Sequence, residues 1–262
     1  MPSPAHRPSP ARLRERFVRG EPVVGSFIKT PTGHATEILG DLGFDFVVID
    51  EEHAPFGRVT TDQVLLAARA AGTAGIVRVA TSSAAAMLAV LDDGATGVLV
   101  PHVATPEKAR EVAAACRYRG GRRGFSASPR AGRYGGTPMW THVDAQDAQT
   151  TVIAMIEDPE ALDRIDAIAA VEGIDGFFIG RGDLTVALGA PSADSPAVRS
   201  AVERIARAGR AAGKGLCAMV GRAAETRWLR ELGVTAFIVS SDQGFLRQAA
   251  AQALAEFSAQ AA

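Results

Sequence analysis

Residues 151–180 read TVIAMIEDPEALDRIDAIAAVEGIDGFFIG, and this stretch contains one complete strand–helix–strand unit. The run 151–157 is short, apolar and rich in β-branched residues, the pattern of a strand buried on both faces. Asp158-Pro159-Glu160 then places a capping side chain, a proline at the first helical position and an acid in the first turn. The helical pattern 159–171 ends near Gly173, and a second apolar run, 174–180, follows. Two such strands joined through a helix lie parallel.

Working outward, the same unit recurs along the chain. Strand patterns occur at 23–29, 44–50, 75–80, 97–103, 215–221 and 236–241. Helical patterns follow at 61–71, 83–92, 106–117, 196–212, 223–232 and 245–259, with a weaker one at 33–42. Gly43, Gly72, Gly94, Gly213 and Gly233 close helices as Gly173 does. Eight strand–helix units predict an α/β fold, a closed (β/α)8 TIM barrel. An open doubly wound sheet would carry a phosphate-binding glycine fingerprint after its first strand, and Phe27-Ile28-Lys29-Thr30-Pro31 has none.

The chain length, 262 residues, suits one barrel domain, expected over 12–262. Residues 1–11, proline-rich and lacking an apolar core, read as a disordered tail. A net charge of −1 gives no reason to expect nucleic acid or membrane as partner. No segment approaches the ~20 apolar residues of a membrane span. Two distant cysteines, Cys116 and Cys217, point to a reduced, cytoplasmic protein without disulfides or a cysteine-based zinc site. One connection breaks the rhythm: 117–149 is long and basic, with Arg119, Arg122, Arg123, Arg130 and Arg133 and no acid before Asp144. It reads as a solvated excursion, or as a lid or inter-subunit element facing an anionic substrate.

Barrel active sites lie at the C-terminal ends of the strands. The second strand ends Asp50-Glu51-Glu52-His53. A histidine there can move a proton near neutral pH, with a neighbouring carboxylate fixing its tautomer; a surface turn is the plainer reading. Arg78, inside the third strand, needs a partner for its charge, either a structural carboxylate or that of a substrate. Glu157 and Asp183, at the ends of the fifth and sixth strands, can converge on a hard cation such as Mg²⁺ or Mn²⁺, or serve as an acid/base pair. Asp92 could support the site or merely end its helix.

Together these segments resemble the HpcH/HpaI aldolases, metal-dependent class II pyruvate aldolases. The resemblance runs from about Leu13 to Phe257. It rests on FDFVVIDEEHAP (44–55), Arg78, Asp92-Asp93-Gly94-Ala95 leading to Val100-Pro101, Arg123-Gly124, Ile156-Glu157 and VEGIDGFFIGRGDL (171–184). It implies cleavage or formation of 4-hydroxy-2-oxo acids through a metal-stabilised pyruvate enolate, 4-hydroxy-2-oxoheptanedioate aldolase being one such activity. The partners would be a 2-oxo acid and an aldehyde. Glu157 and Asp183 would ligate Mg²⁺, Mn²⁺ or Co²⁺. Arg78 would contact the pyruvate part, and His53, oriented by Asp50 or Asp92, would act as base on the aldol hydroxyl. Backbone near Gly182 and Asp183 would receive the pyruvate carboxylate, and the assembly would be a homohexamer. Other readings of the same barrel are a citrate lyase β-subunit-like acyl-CoA lyase and a non-catalytic oxo-acid-binding barrel. No Schiff-base lysine is implied; of the three lysines, Lys29, Lys108 and Lys214, only Lys29 falls at a strand end. Met155 stands where many relatives carry glutamine, and Arg181 where many carry proline, which bears on the substrate.

Overall fold

Side chains alternate between the two faces of a strand, so each buried strand must feed two cores. The fifth strand does this plainly: Ile153 and Met155 join the packing inside the barrel, while Val152, Ala154 and Ile156 join the packing against the outer helices. The computed structural model describes residues 9–260. Its strands are β1 Val23–Ile28, β2 Phe46–Asp50, β3 Ala74–Arg78, β4 Gly97–Val100, β5 Thr151–Ile156, β6 Gly176–Ile179, β7 Gly215–Val220 and β8 Ala236–Ser241. They pair parallel in sequence order and β8 returns to β1, closing the (β/α)8 TIM barrel that the sequence predicts.

The helices are α1 Leu13–Val18, α2 His34–Leu42, α3 Arg58–Ala70, α4 Ala84–Asp92, α5 Pro106–Cys116, α6 Met139–Gln149, α7 Pro159–Asp163, α8 Ile165–Ala169, α9 Arg181–Ala187, α10 Pro196–Ala211, α11 Thr226–Glu231 and α12 Asp242–Gln260. The expected helix 159–171 divides at Arg164, whose φ of −115° and ψ of 7° leave the helical region. All six glycines expected to end helices hold positive φ.

Three helices lie where no helical pattern was read. Helix α1 is two turns long, too short for its Leu13 and Phe17 pair to register as periodicity. It closes the N-terminal end of the barrel. Phe17 joins the interior packing, and a Cβ at Gly176 or Gly215 would overlap its ring. Helix α6 buries only His142 and Val143, and α9 begins in what reads as a turn. Of the expected tail, residues 1–8 lie outside the described residues. Pro10–Arg12 forms a single 3₁₀ turn.

The segment 117–149 packs beneath the N-terminal end of the barrel, away from the strand C-termini. Arg117 donates to the carbonyl of Thr150, just ahead of β5, at 2.7 Å. Arg130 binds the Asp62 carboxylate at 2.7 Å, and Arg119 binds Asp144 at 2.6 Å. These arginines are matched by the chain's own acids and carbonyls rather than held over the mouth, which corrects the lid reading.

Candidate active site

The cross-strand register sets the first pair. Asp50 on β2 lies opposite Arg78 on β3, and the guanidinium grips the carboxylate with both prongs, Nε to Oδ1 at 2.9 Å and Nη2 to Oδ2 at 2.7 Å. Lys29 Nζ adds a third contact to Oδ2 at 2.8 Å. Burial alone pushes the Asp50 pKa up. The hydrogen bonds from Arg78 and Lys29 and the charge of Arg78 outweigh that and hold it at about 2. Arg78 also lies over the Phe27 ring, 4.8 Å from its centre. Its fork is spent on a structural carboxylate, so only Nη1 is left, 3.3 Å from Glu52.

The three acids after β2 go separate ways. Asp50 turns inward, Glu51 accepts from the Thr61 hydroxyl on α3 at 2.7 Å, and Glu52 faces the mouth. The His53 ring is largely exposed, and its Nε2 lies 3.7 Å from Glu52. Asp50 accepts the backbone N–H of His53 at 3.1 Å but makes no recorded contact with its ring. Asp92 lies at the opposite end of the barrel, where α4 ends. Arg123, whose side chain is fully buried, donates to it at 3.3 Å. Within this chain neither Asp50 nor Asp92 orients the imidazole; Glu52 is the nearest carboxylate.

Glu157 follows β5 directly and is 3% exposed. Its one recorded hydrogen bond comes from the backbone N–H of His102, at 2.9 Å to Oε1. Burial is the main cause lifting its pKa to about 7; the His102 hydrogen bond opposes this, and the charge of Asp183 adds to it. Gly180 makes room for this carboxylate: a Cβ there would overlap Glu157 Cβ and lie 3.1 Å from Oε2. Asp183, in the first turn of α9, lines the mouth.

A cavity of about 380 Å³ opens at this mouth, lined by His53, Arg78 and Asp183, with Gly180 between it and Glu157. Phe27, Met155 and Phe178 form its apolar floor; Lys29, His53, Arg78, Gly182 and Asp183 lie around it; Arg181, Met219 and Glu225 bound its β6–β7 side. A buried carboxylate paired with no lysine or arginine among the described residues and 3.6 Å from the His102 ring, beside a second, accessible one, fits a hard divalent cation that takes oxygen ligands. Among the described residues no group of three or more His, Cys, Asp or Glu could hold a metal. Water and substrate oxygens would therefore complete the shell.

Sequence reasoning missed His102. The strand pattern was read through to 103, but β4 ends at Val100. His102 holds φ 55°, a left-handed conformation that costs about 1–3 kcal/mol in a non-glycine residue and that accompanies the aim of its N–H at Glu157. Its ring lies 3.1 Å from Asp158. Burial works against protonation of that ring, but Asp158, Glu157 and Glu52 prevail and raise its pKa. Pro101, a strand breaker followed by a histidine, was the available signal. Both cysteines are free and buried, and burial raises their thiol pKa values, which suits core residues.

The fold and the polar residues at its strand ends define a barrel enzyme, and comparison with known proteins narrows the class. The sequence profile of the HpcH/HpaI aldolase/citrate lyase family matches residues 24–249. A 5-keto-4-deoxy-D-glucarate aldolase of Salmonella paratyphi C (strain RKS4594) is 34% identical over 249 residues, spanning 94% of this chain and 96% of that one. A family protein of known structure from Burkholderia cenocepacia J2315 is 30% identical, with a TM-score of 0.89 over 94% of this chain and 99% of that one. The citrate synthase SbnG is 32% identical, with a TM-score of 0.86 over 95% and 98%. The chain belongs to the HpcH/HpaI aldolase/citrate lyase family, and its class of chemistry is that of a carbon–carbon lyase.

Proposed function

We propose that this enzyme is a divalent-metal-dependent aldolase that cleaves or forms 4-hydroxy-2-oxo acids by way of a pyruvate enolate. The observation that carries the reading is Glu157: a carboxylate buried at the barrel mouth, held by no lysine or arginine among the described residues and 3.6 Å from the His102 ring, with a pKa near 7 and Asp183 beside it. Glu157 and Asp183 would hold Mg²⁺, Mn²⁺ or Co²⁺. When bound, such an ion supplies Lewis acidity that stabilises negative charge on the oxo oxygen.

The chain's own residues do the rest. Cleavage breaks the C3–C4 bond, sends its electron pair into the enolate, and requires a base for the 4-hydroxyl proton. His53 is that base, with Glu52 beside its ring, 3.7 Å from Nε2. Arg78, fixed by Asp50, sets a permanent positive charge next to the developing enolate. The floor of Phe27, Met155 and Phe178 keeps water from C3. Gly182 and Asp183 receive the pyruvate carboxylate.

The test is a screen of 4-hydroxy-2-oxo acids with metal-stripped protein, following released pyruvate. Turnover should be absent in chelator and return with Mg²⁺, Mn²⁺ or Co²⁺. Arg78→Ala should lose both cleavage and pyruvate proton exchange. His53→Ala should lose cleavage by about 10²–10⁴ and exchange by much less. Full turnover in chelator, or a Lys29 adduct trapped by borohydride, would overturn the reading.

Two further points belong to the same proposal. Leu246, Leu254 and Phe257 on α12 are exposed, which supports a homohexamer in which a neighbour covers that helix; a 27.3 kDa species alone in light scattering would contradict it. No helix among the described residues is long and apolar enough to cross a membrane, and two free cysteines support a cytoplasmic site of action.

A further inference from the structure

Asp50 has more positive charge around it than its grip requires. Both prongs of Arg78 already hold it, the geometry in which arginine fixes a carboxylate most firmly. Lys29 Nζ nonetheless lies 2.8 Å from Oδ2 of the same carboxylate. Its side chain is 25% exposed and lines the cavity with Arg78 and His53. The lysine is also aimed. Asp242 accepts the backbone N–H groups of Lys29 and Thr30 at 2.8 Å and 3.0 Å, and Nζ lies 5.7 Å from the centre of the Phe27 ring. Holding a long stem in this way costs rotamer freedom, and Asp50 is positioned without it.

What the lysine adds is charge. Arg78 faces two carboxylates, Asp50 with its fork and Glu52 at 3.3 Å from Nη1. One guanidinium against two carboxylates leaves an excess of negative charge beside the place where the enolate forms. In a partly desolvated cavity that excess works against the enolate more than against the substrate, because the enolate carries the extra charge. Lys29 cancels it.

We propose that Lys29 is a positioning residue for the enolate-forming step: it neutralises Asp50, so that Asp50 can fix Arg78 without cancelling its charge. The lysine is neither nucleophile nor base, and it acts through Asp50 on the guanidinium. Asp50 aims the fork, and Lys29 keeps the field of that fork positive. This inference rests on the aldolase reading above.

The experiment measures exchange of the pyruvate methyl protons in deuterium oxide, with metal present. It compares wild type, Lys29→Met, Lys29→Arg, Asp50→Asn and the pair Lys29→Met with Asp50→Asn, and adds pyruvate affinity by calorimetry and melting temperature for each. Lys29→Gln is the second neutral variant should Lys29→Met fail to fold. Lys29→Met should lower the exchange kcat about tenfold to hundredfold. Pyruvate binding should weaken by less, since the charge added on enolisation is absent from the bound ground state. Lys29→Arg should recover most of the loss. In the Asp50→Asn background no carboxylate is left there to neutralise, so Lys29→Met should cost less than about threefold. An equal cost in both backgrounds would make the lysine act independently of Asp50 and overturn the proposal. So would a Lys29→Met rate within about twofold of wild type, or a loss that Lys29→Arg does not recover. Wild type that neither exchanges pyruvate protons nor cleaves a 4-hydroxy-2-oxo acid would sink the aldolase reading and this inference with it. An active wild type matched by its Lys29 variants would sink only the role of Lys29.

Discussion

The two ends of this barrel bury charge in opposite ways. At the N-terminal end, Asp175 is 5% exposed and fully engaged: Arg14 at 2.8 Å, Arg117 at 2.8 Å and the backbone N–H of Val152 at 2.8 Å. At the C-terminal end, Glu157 is buried as deeply with one backbone N–H, and its pKa rises to about 7. Both carboxylates pay a desolvation cost, but only the first recovers it within the chain. The base is built to hold the fold. The mouth keeps a charge unsatisfied until something else arrives, as sites that bind or react do.

The sharpest way to break this contrast is Glu157→Gln. Metal-dependent cleavage should fall to background. The metal-free protein at pH 8 should nonetheless become more stable, by up to ~3 kcal/mol, because a neutral amide replaces a buried carboxylate that no lysine or arginine among the described residues offsets. The sign follows from linkage. A folded pKa raised above 4.5 adds stability that is full below that value and lost as pH rises through about 7. Melting temperatures of the metal-free wild type and variant should diverge between pH 5 and pH 8. A destabilised variant at pH 8 would mean that His102 already offsets the burial of Glu157.

The matching change at the base should do the reverse. Asp175→Ala strips the acceptor from two arginines and should cost about 3–5 kcal/mol in urea unfolding, while kcat of the protein that remains folded stays near wild type. Loss of kcat without loss of stability would dissolve the division between the ends.

His142 offers a smaller test with the opposite pH dependence. Its Nδ1 donates to the Ala131 carbonyl at 3.1 Å, and the Tyr118 hydroxyl donates to its Nε2 at 3.1 Å. Burial first, then the charge of Arg123, lowers its pKa below 6.5. The folded protein holds a neutral ring that the unfolded chain protonates. Its contribution is present above pH 6.5 and lost as pH falls below it. His142→Gln should flatten the acid side of the stability profile, by at most one proton; an unchanged slope would show that another group sets it.

Much of the fold was legible because it repeats. Eight apolar runs with caps between them left little room for another architecture, and every expected strand appears within two or three residues of its predicted ends. The elements that escaped, α1, α6 and α9, are held by tertiary contacts rather than by a periodic apolar face; Phe17 packs because Gly176 and Gly215 make space for it. Position was legible where location sufficed: Glu157, Asp183, Arg78 and His53 lie at the strand ends where the sequence places them. Pairing was not legible. Nothing in the sequence says that Asp50 takes both prongs of Arg78, or that Asp92 faces Arg123 at the far end, because those depend on register and helix direction.

The smallest effect concerns Met155, which shares a face of β5 with Glu157 and sits within the cavity floor. Met155→Gln supplies a hydrogen-bonding group worth about 0.5–1.5 kcal/mol, so substrate preference or pyruvate inhibition should shift roughly 2- to 13-fold without a change in melting temperature. Identical profiles would make Met155 packing alone.

The barrel seam sets a timetable. The backbone N–H groups of Lys29 and Thr30, just past the first strand, are clasped by the carboxylate of Asp242 at 2.8 Å and 3.0 Å, 213 and 212 residues further along. Lys29 in turn holds Asp50, and Asp50 holds Arg78. A ribosome delivers these parts in order, and the clasp emerges only after all eight strands. A nascent chain with seven strands outside the tunnel has most of its hydrophobic mass but no fixed Lys29 loop. Catalytic competence is therefore withheld until β8 and the start of α12 have emerged, and an incomplete product stopped before β8 would be an inactive protein rather than a poorly regulated enzyme.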